Sequence, residues 1–322
     1  MVIASLARSQ GLDETQIKLD SVSAKMNGRE LFDTSVLRHA NKKAVFYQFA
    51  ALLLGQARLV RRGSVTHAFL RRLFKRGQLV RCYTQNIDGI ERTVQLSPEL
   101  SSDTVRGGLT DEQCQVVQLH GDINKVRCTI CAYRDGWPPE AIEAALQGRV
   151  IECPRCLDIN RERSLADKRK RGVGELRPDI LLYEETHWNE ELVPQYVQAD
   201  VACHPTALLI MGTSLTIPGC QEIVKEFARG VHQAGGRVVW INPTRPNETR
   251  WAGVVDDVVL MESDLFISAL EHMWDTSEVE PHSNGGGDEE SLRRQTLCEE
   301  AKRLRRRNLT SEEGWQIAFD NL

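Results

Sequence analysis

Two cysteine pairs, Cys128-x-x-Cys131 and Cys153-x-x-Cys156, constrain this chain more than any other feature. Each pair can close a tight turn that offers two thiolates, and two such turns 21 residues apart complete a tetrahedral sulfur shell around zinc. Four cysteines leave no open coordination position, so the expected metal is one structural zinc. Its binding energy is then folding energy for a module too small to fold on its own core. The pairs fall inside residues 122–176, between His120-Gly121 and the return of apolar patterning at Arg177, which reads as a module inserted into a larger domain. Nine cysteines is an odd count, and in a reducing compartment Cys-x-x-Cys pairs favour metal over disulfides. Cys82, Cys114, Cys203, Cys220 and Cys298 read as ordinary buried or surface thiols.

The 322 residues allow roughly two domains. Residues 1–29 show no clear periodicity. Lys43 to Leu54 repeats apolar residues at helical spacing, and Thr66 to Lys75 does so again with Thr66 as the expected N-cap. Short apolar or β-branched runs follow at Leu79–Thr84, Val116–Leu119, Ala207–Met211, Arg237–Ile241 and Val254–Leu260, and these read as buried strands. Helical stretches at Gln221–Ala228 and Leu265–Trp274 separate the later ones. Strand, helix, strand predicts an α/β fold, a mostly parallel sheet covered on both faces with ligands at the carboxyl ends of its strands.

The polar clusters sit at those ends: Gln85, Asn86 and Asp88; His120 before Gly121; Gly212-Thr213-Ser214; and Asn242 before Pro243. His120, with an ordinary pKa of about 6.5, reads either as a general base or as a structural histidine. Gln85, Asn86 and Asp88 either bind a ligand or cap the next helix. Gly212-Thr213-Ser214 offers amides and hydroxyls that cradle phosphate, although the same tripeptide closes many strands with no ligand. No G-x-G-x-x-G fingerprint occurs.

A net charge of −4 excludes a chain-wide positive field for nucleic acid or membrane, leaving local patches. Arg161–Arg171 holds six basic and two acidic residues, and its Lys168-Arg169-Lys170-Arg171 reads as a nuclear import signal, a nucleic-acid patch or a solvated loop. Asp275–Ser291, acidic and glycine-rich, reads as a linker ahead of a basic helix at Arg293–Arg307, net +5. There is no apolar run of about 18 residues and no signal-peptide pattern, so we expect an intracellular protein with no membrane partner.

In order and spacing, Tyr83-Thr84-Gln85-Asn86-Ile87-Asp88-Gly89, Leu119-His120-Gly121, the four cysteines, Arg177-Pro178-Asp179-Ile180, Gly212-Thr213-Ser214-Leu215 and Ile241-Asn242-Pro243 closely resemble the sirtuin family of NAD-dependent protein deacylases. Leu31-Phe32-Asp33, Ser35-Val36 and Arg81-Cys82-Tyr83 look most like its fungal nuclear branch, which deacetylates a core histone. The resemblance implies a Rossmann-like doubly wound sheet over residues 1–121 and 177–275, with a zinc ribbon at 122–176. It also implies NAD and an acetyl-lysine protein, a histone or other chromatin protein in the nucleus, as substrates. By similarity His120 is the general base, and Asn86 acts beside it. Gln85, Asn86 and Asp88 surround nicotinamide and its ribose, Gly212, Thr213 and Ser214 the phosphates, and Asn242 the adenosine ribose. Leu181 and Tyr183 hold the peptide. In the family the acetyl oxygen attacks the ribose carbon bearing nicotinamide, and the histidine then deprotonates a ribose hydroxyl, giving nicotinamide and O-acetyl-ADP-ribose.

Two departures qualify this. The peptide-clamping segment reads Leu181-Leu182-Tyr183-Glu184-Glu185, with Glu184 where the family has Gly; if that Gly served a positive φ, Glu184 hinders it. The family's opening strand, Gly-Ala-Gly loop and Ile-Pro-Asp-Phe-Arg segment have no counterpart beyond a weak one at Arg8–Leu12. The first, central strand is therefore expected to be missing, as in a truncated enzyme or in a sirtuin-like chromatin-binding module without NAD turnover.

Overall fold

A computed structural model describes residues 2–4, 28–100, 114–185 and 191–277. The expected acidic linker, the basic helix at 293–307 and the segment at 8–12 lie outside them.

The chain 207–211 is apolar at every position, so a strand here must be covered on both faces. It lies within a six-stranded sheet formed by β1 (Val2–Ala4), β2 (Cys82–Thr84), β3 (Val116–Gln118), β7 (Ala207–Met211), β8 (Arg237–Ile241) and β9 (Asp257–Val259). The spatial order is β3-β2-β1-β7-β8-β9, and all five pairings are parallel. Alternation along the strands divides the core. Tyr83, Val117, Leu208, Ile210, Val238 and Trp240 pack beneath α6 (Leu192–Val201) and α7 (Pro218–Gln233). Cys82, Val116, Leu209, Met211, Val239 and Ile241 face α3 (Val65–Lys75) and α9 (Ser263–Ser277). This is the doubly wound α/β sheet the strand–helix alternation predicts.

The expectation of a missing central strand is corrected. Val2–Ala4 pairs with Cys82–Thr84 on one side and Leu209–Met211 on the other, so the middle of the sheet is filled. Three residues are too few to show a period. A second correction concerns α3: Ser64 is the N-cap, its amide donating to His67 Nδ1, and Thr66 sits inside the first turn. The Thr66 amide and the Ser64 hydroxyl instead donate to Asp264 Oδ1 at 2.9 and 2.8 Å, tying α3 to the start of α9.

Under the sheet is a buried charge pair. Arg81 donates from Nε and Nη2 to the Asp200 carboxylate at 2.7 and 3.0 Å, Tyr83 donates its hydroxyl to the same group at 2.7 Å, and both ionic side chains are 0% exposed.

The cysteine module has a three-stranded antiparallel sheet, β5-β4-β6, from β4 (Gly121–Cys128), β5 (Arg134–Gly136) and β6 (Leu176–Ile180). Its core is shared: Ile123, Val126, Trp137 and Cys153 pack with Val45, Phe46, Ala50 and Leu54 of α2 (Ala40–Leu59) and Ala141 and Ala145 of α4 (Pro139–Leu146). The expectation that residues 1–121 lie wholly in the large unit is thus corrected. With few apolar residues of its own, the module borrows α2. The remaining helices are α1 (Gly28–Leu31), α5 (Pro154–Leu165) and α8 (Glu248–Trp251).

Candidate functional site

In an open parallel sheet, a crevice forms at the carboxyl edge where the strand order reverses. Here it lies between β1 and β7. Gln85, just past β2, reaches across the end of β1 and donates from Nε2 to Thr213 Oγ1 at 2.7 Å. The Thr213 hydroxyl oxygen also accepts from the Leu215 amide at 3.1 Å. Gly212 stands at φ 60°, and its amide donates to Ile241 O, which joins the ends of β7 and β8. Asn242, buried after β8, donates from Nδ2 to Thr244 Oγ1 at 2.6 Å. Asn86 is buried with its amide on Thr84 Oγ1. Asp88 accepts from the Ile90 amide at 3.1 Å, and burial raises its carboxyl above the ordinary range. Ser214 is exposed at the mouth.

His120 follows β3. Its Nδ1 lies 3.2 Å from Gln85 O. A carbonyl only accepts, so Nδ1 carries the hydrogen and Nε2 keeps the lone pair. Burial lowers the imidazole pKa, with the Gln85 hydrogen bond acting against it. The ring is therefore a neutral base oriented by the backbone. Gly121 stands at φ 92°, and a Cβ there would meet Asp179 O at 2.2 Å, so the residue after the histidine must be glycine for β4 to pair with β6.

At the other end of β4, Cys128 Sγ and Cys156 Sγ are 3.7 Å apart, as are Cys131 and Cys153, and all four sulfurs lie within 4.8 Å of one another. A tetrahedron with Zn–S bonds of about 2.3 Å has edges of about 3.8 Å, so the set fits zinc. The Ile130 and Cys131 amides donate to Cys128 Sγ at 3.3 Å, and against burial they hold its thiol at about 7. Gly174 makes room: a Cβ there would lie 2.4 Å from that sulfur.

The sequence pattern of the Sir2 family matches residues 20–218. The chain belongs to the Sir2 family. It is 34% identical over 83% of its length to the NAD-dependent histone deacetylase HST3 of Candida albicans, and 35% identical over 76% to HST3 of Saccharomyces cerevisiae. It spans 56% of the length of each of these curated relatives. A solved Sir2 protein bound to a propionylated peptide superposes with TM-score 0.55 at 16% identity, covering 76% of this chain and 84% of that one. A Sir2–p53 peptide–NAD+ complex gives 0.54 at 16% identity, over 77% and 84%. These likenesses show the sirtuin fold.

Within that fold, Leu181 donates its amide to His120 O at 2.9 Å, and Tyr183 donates its own to Phe32 O at 2.8 Å. Both expected peptide residues therefore lie on a segment leaving the histidine. Glu184 takes φ 68°, so this sirtuin chain holds a left-handed backbone at a residue that is not glycine.

Two neighbours of the site have no signal in the sequence. Cys220, taken as an ordinary thiol, places Sγ 3.7 Å from His120 Nε2, and burial pushes that thiol up to about 12. Glu91 is fully buried near Asp88, and desolvation pushes its carboxyl up to about 7. His120 and Cys220 are far apart in sequence, and only packing of α7 brings them together.

Proposed function

We propose that this chain is an NAD-dependent protein-lysine deacetylase acting on a histone or other chromatin protein in the nucleus. One observation carries it: past β3, His120 donates Nδ1–H to the carbonyl of Gln85, the residue whose side chain reaches Thr213 at the switch point, and so keeps the lone pair on Nε2. The polar side chains there fit a dinucleotide, since Asn86, Thr213 and Asn242 are 4–8% exposed and arrayed along the ends of three strands. When bound, NAD supplies a ribose carbon whose positively charged nicotinamide is a ready leaving group.

The protein's part is then orientation and one proton transfer. Gln85, Asn86 and Asp88 line the end nearest His120, where nicotinamide and its ribose belong. Beside Gly212, whose own amide is held by Ile241 O, Thr213 and Ser214 offer donors to the phosphates, ahead of the α7 N-terminus. Asn242 holds the distal ribose, and Leu181 and Tyr183 hold the acyl-lysine peptide. His120 Nε2 accepts the proton from a substrate hydroxyl, and the Gln85 carbonyl stabilises the resulting imidazolium through Nδ1–H. Zinc in the cysteine corner shapes the small unit and takes no part in the reaction.

Chromatin association is assigned to the loop carrying Lys168–Arg171. Asn160 closes it by donating to Arg171 O and accepting from Arg171 N, both at 2.8 Å, which leaves the four cations exposed. The deciding experiment is nicotinamide release from NAD with an acetylated histone peptide, set beside His120→Ala. Peptide-dependent release that the variant loses supports the enzyme. No release from folded, zinc-loaded protein favours a sirtuin-like binding module.

A further inference from the structure

The turn after β6 carries strain and an unused charge at the same residue. The Glu185 amide donates to Leu182 O at 3.1 Å, which closes a four-residue turn whose third position, Glu184, has φ 68°. Glycine is the residue such a position favours. The turn cannot relax, because both sides are braced. Glu185 accepts from the Leu182 amide at 3.0 Å and is gripped by the guanidinium of Arg177 and by Arg127 at 3.3 Å, while the Tyr183 amide is fixed on Phe32 O.

Glu184 contributes nothing to that bracing. Arg127, Arg134 and Arg177 all face Asp179 or Glu185, and Glu184 alone among these carboxylates has no hydrogen-bond or ion-pair partner among the described residues. It is exposed, as is Tyr183 beside it at 44%. Leu181, three residues earlier, is hydrogen-bonded to His120 O, so at most roughly 10 Å of chain separates the apex from the residue paired with the histidine's backbone. A strained residue held in a braced turn at the rim of a site points to use of its side chain.

We propose that Glu184 is a specificity-determining residue, selecting acyl-lysine peptides that carry a cationic side chain beside the modified lysine. The proposal rests on Leu181 and Tyr183 holding the peptide. A carboxylate on a rigid apex loses little side-chain freedom on pairing, and at an exposed rim its effect is a preference of about two- to fivefold that salt screens.

The test uses the zinc-loaded chain and two acetyl-lysine peptides, identical except for arginine or its neutral isostere citrulline beside the acetyl-lysine. Two readouts are taken: kcat/KM from nicotinamide release, and peptide affinity by fluorescence anisotropy without NAD. Wild type should favour arginine by about two- to fivefold in both, with Glu184→Gln bringing the ratio near one and Glu184→Lys inverting it. Equal ratios in wild type and Glu184→Gln overturn the proposal and leave the deacetylase standing. A charge-dependent affinity in a chain that releases no nicotinamide supports Glu184 and removes the catalytic reading. Binding of neither peptide by any variant overturns both.

Discussion

The four sulfurs of the cysteine corner come from two turns between Cys128 and Cys156, whereas the strand-end site draws Gln85, His120, Thr213 and Asn242 from beyond four separate strands. In the first region the ligating atoms are set by chain-local geometry, and one ion completes them. In the second, each side chain is placed by the register of a sheet, and the strand in the middle is only three residues long. A metal-held corner thus concentrates its stability in one bond set, while the sheet spreads it over its core. The two regions should fail independently.

The largest expected effect separates them directly. Stripping zinc with a chelator should remove binding free energy of roughly 10–16 kcal/mol, on the scale of small zinc modules. Amide exchange should then rise across β4 and β6 while β7 and β8 stay protected, and loss of protection in both would break the comparison. The converse cut is Arg81→Ala, which leaves Asp200 charged and buried. It should cost about 3–5 kcal/mol in urea unfolding of the large unit and leave one zinc per chain by metal analysis.

Smaller effects sharpen the picture at the site. Burial lowers the His120 pKa below its ordinary 6.5, and in the proposed reaction the neutral ring is the active form. Protonation therefore sets in only at lower pH, and the acid limb of kcat/KM against pH should fall below 6.5; a limb at or above it would mean an imidazole in open water. The smallest effect is at the turn. Glu184→Gly relieves a left-handed backbone but frees the unfolded chain, so a net gain of about 0.5–1 kcal/mol is expected from the urea midpoint. No gain would mean the turn adapts to glutamate.

The same contrast explains what the sequence made legible. The cysteine corner could be read because two spacings specify it. The buried strands at 207–211 and 237–241 could be read because both faces demand apolar residues. Val2–Ala4 could not, since its pairing with Cys82–Thr84 and Leu209–Met211 has no local signature. The apolar stripe of α2 announced a helix without saying that it covers Ile123 and Trp137. At the site, Gln85 and Thr213 each stood out as polar strand ends, but the hydrogen bond joining them across β1 depends on strand order. Cys220 reaches His120 through the packing of α7.

The position of β1 also sets an order of events during synthesis. Val2 emerges before both of its partners, Cys82 and Leu209, so the sheet's central strand waits longest for its second neighbour. The cysteine corner needs only α2 and the chain through Ile180. It can close on zinc while the ribosome is still translating β7, whereas the six-stranded sheet, dominated by distant pairings, is the slow step.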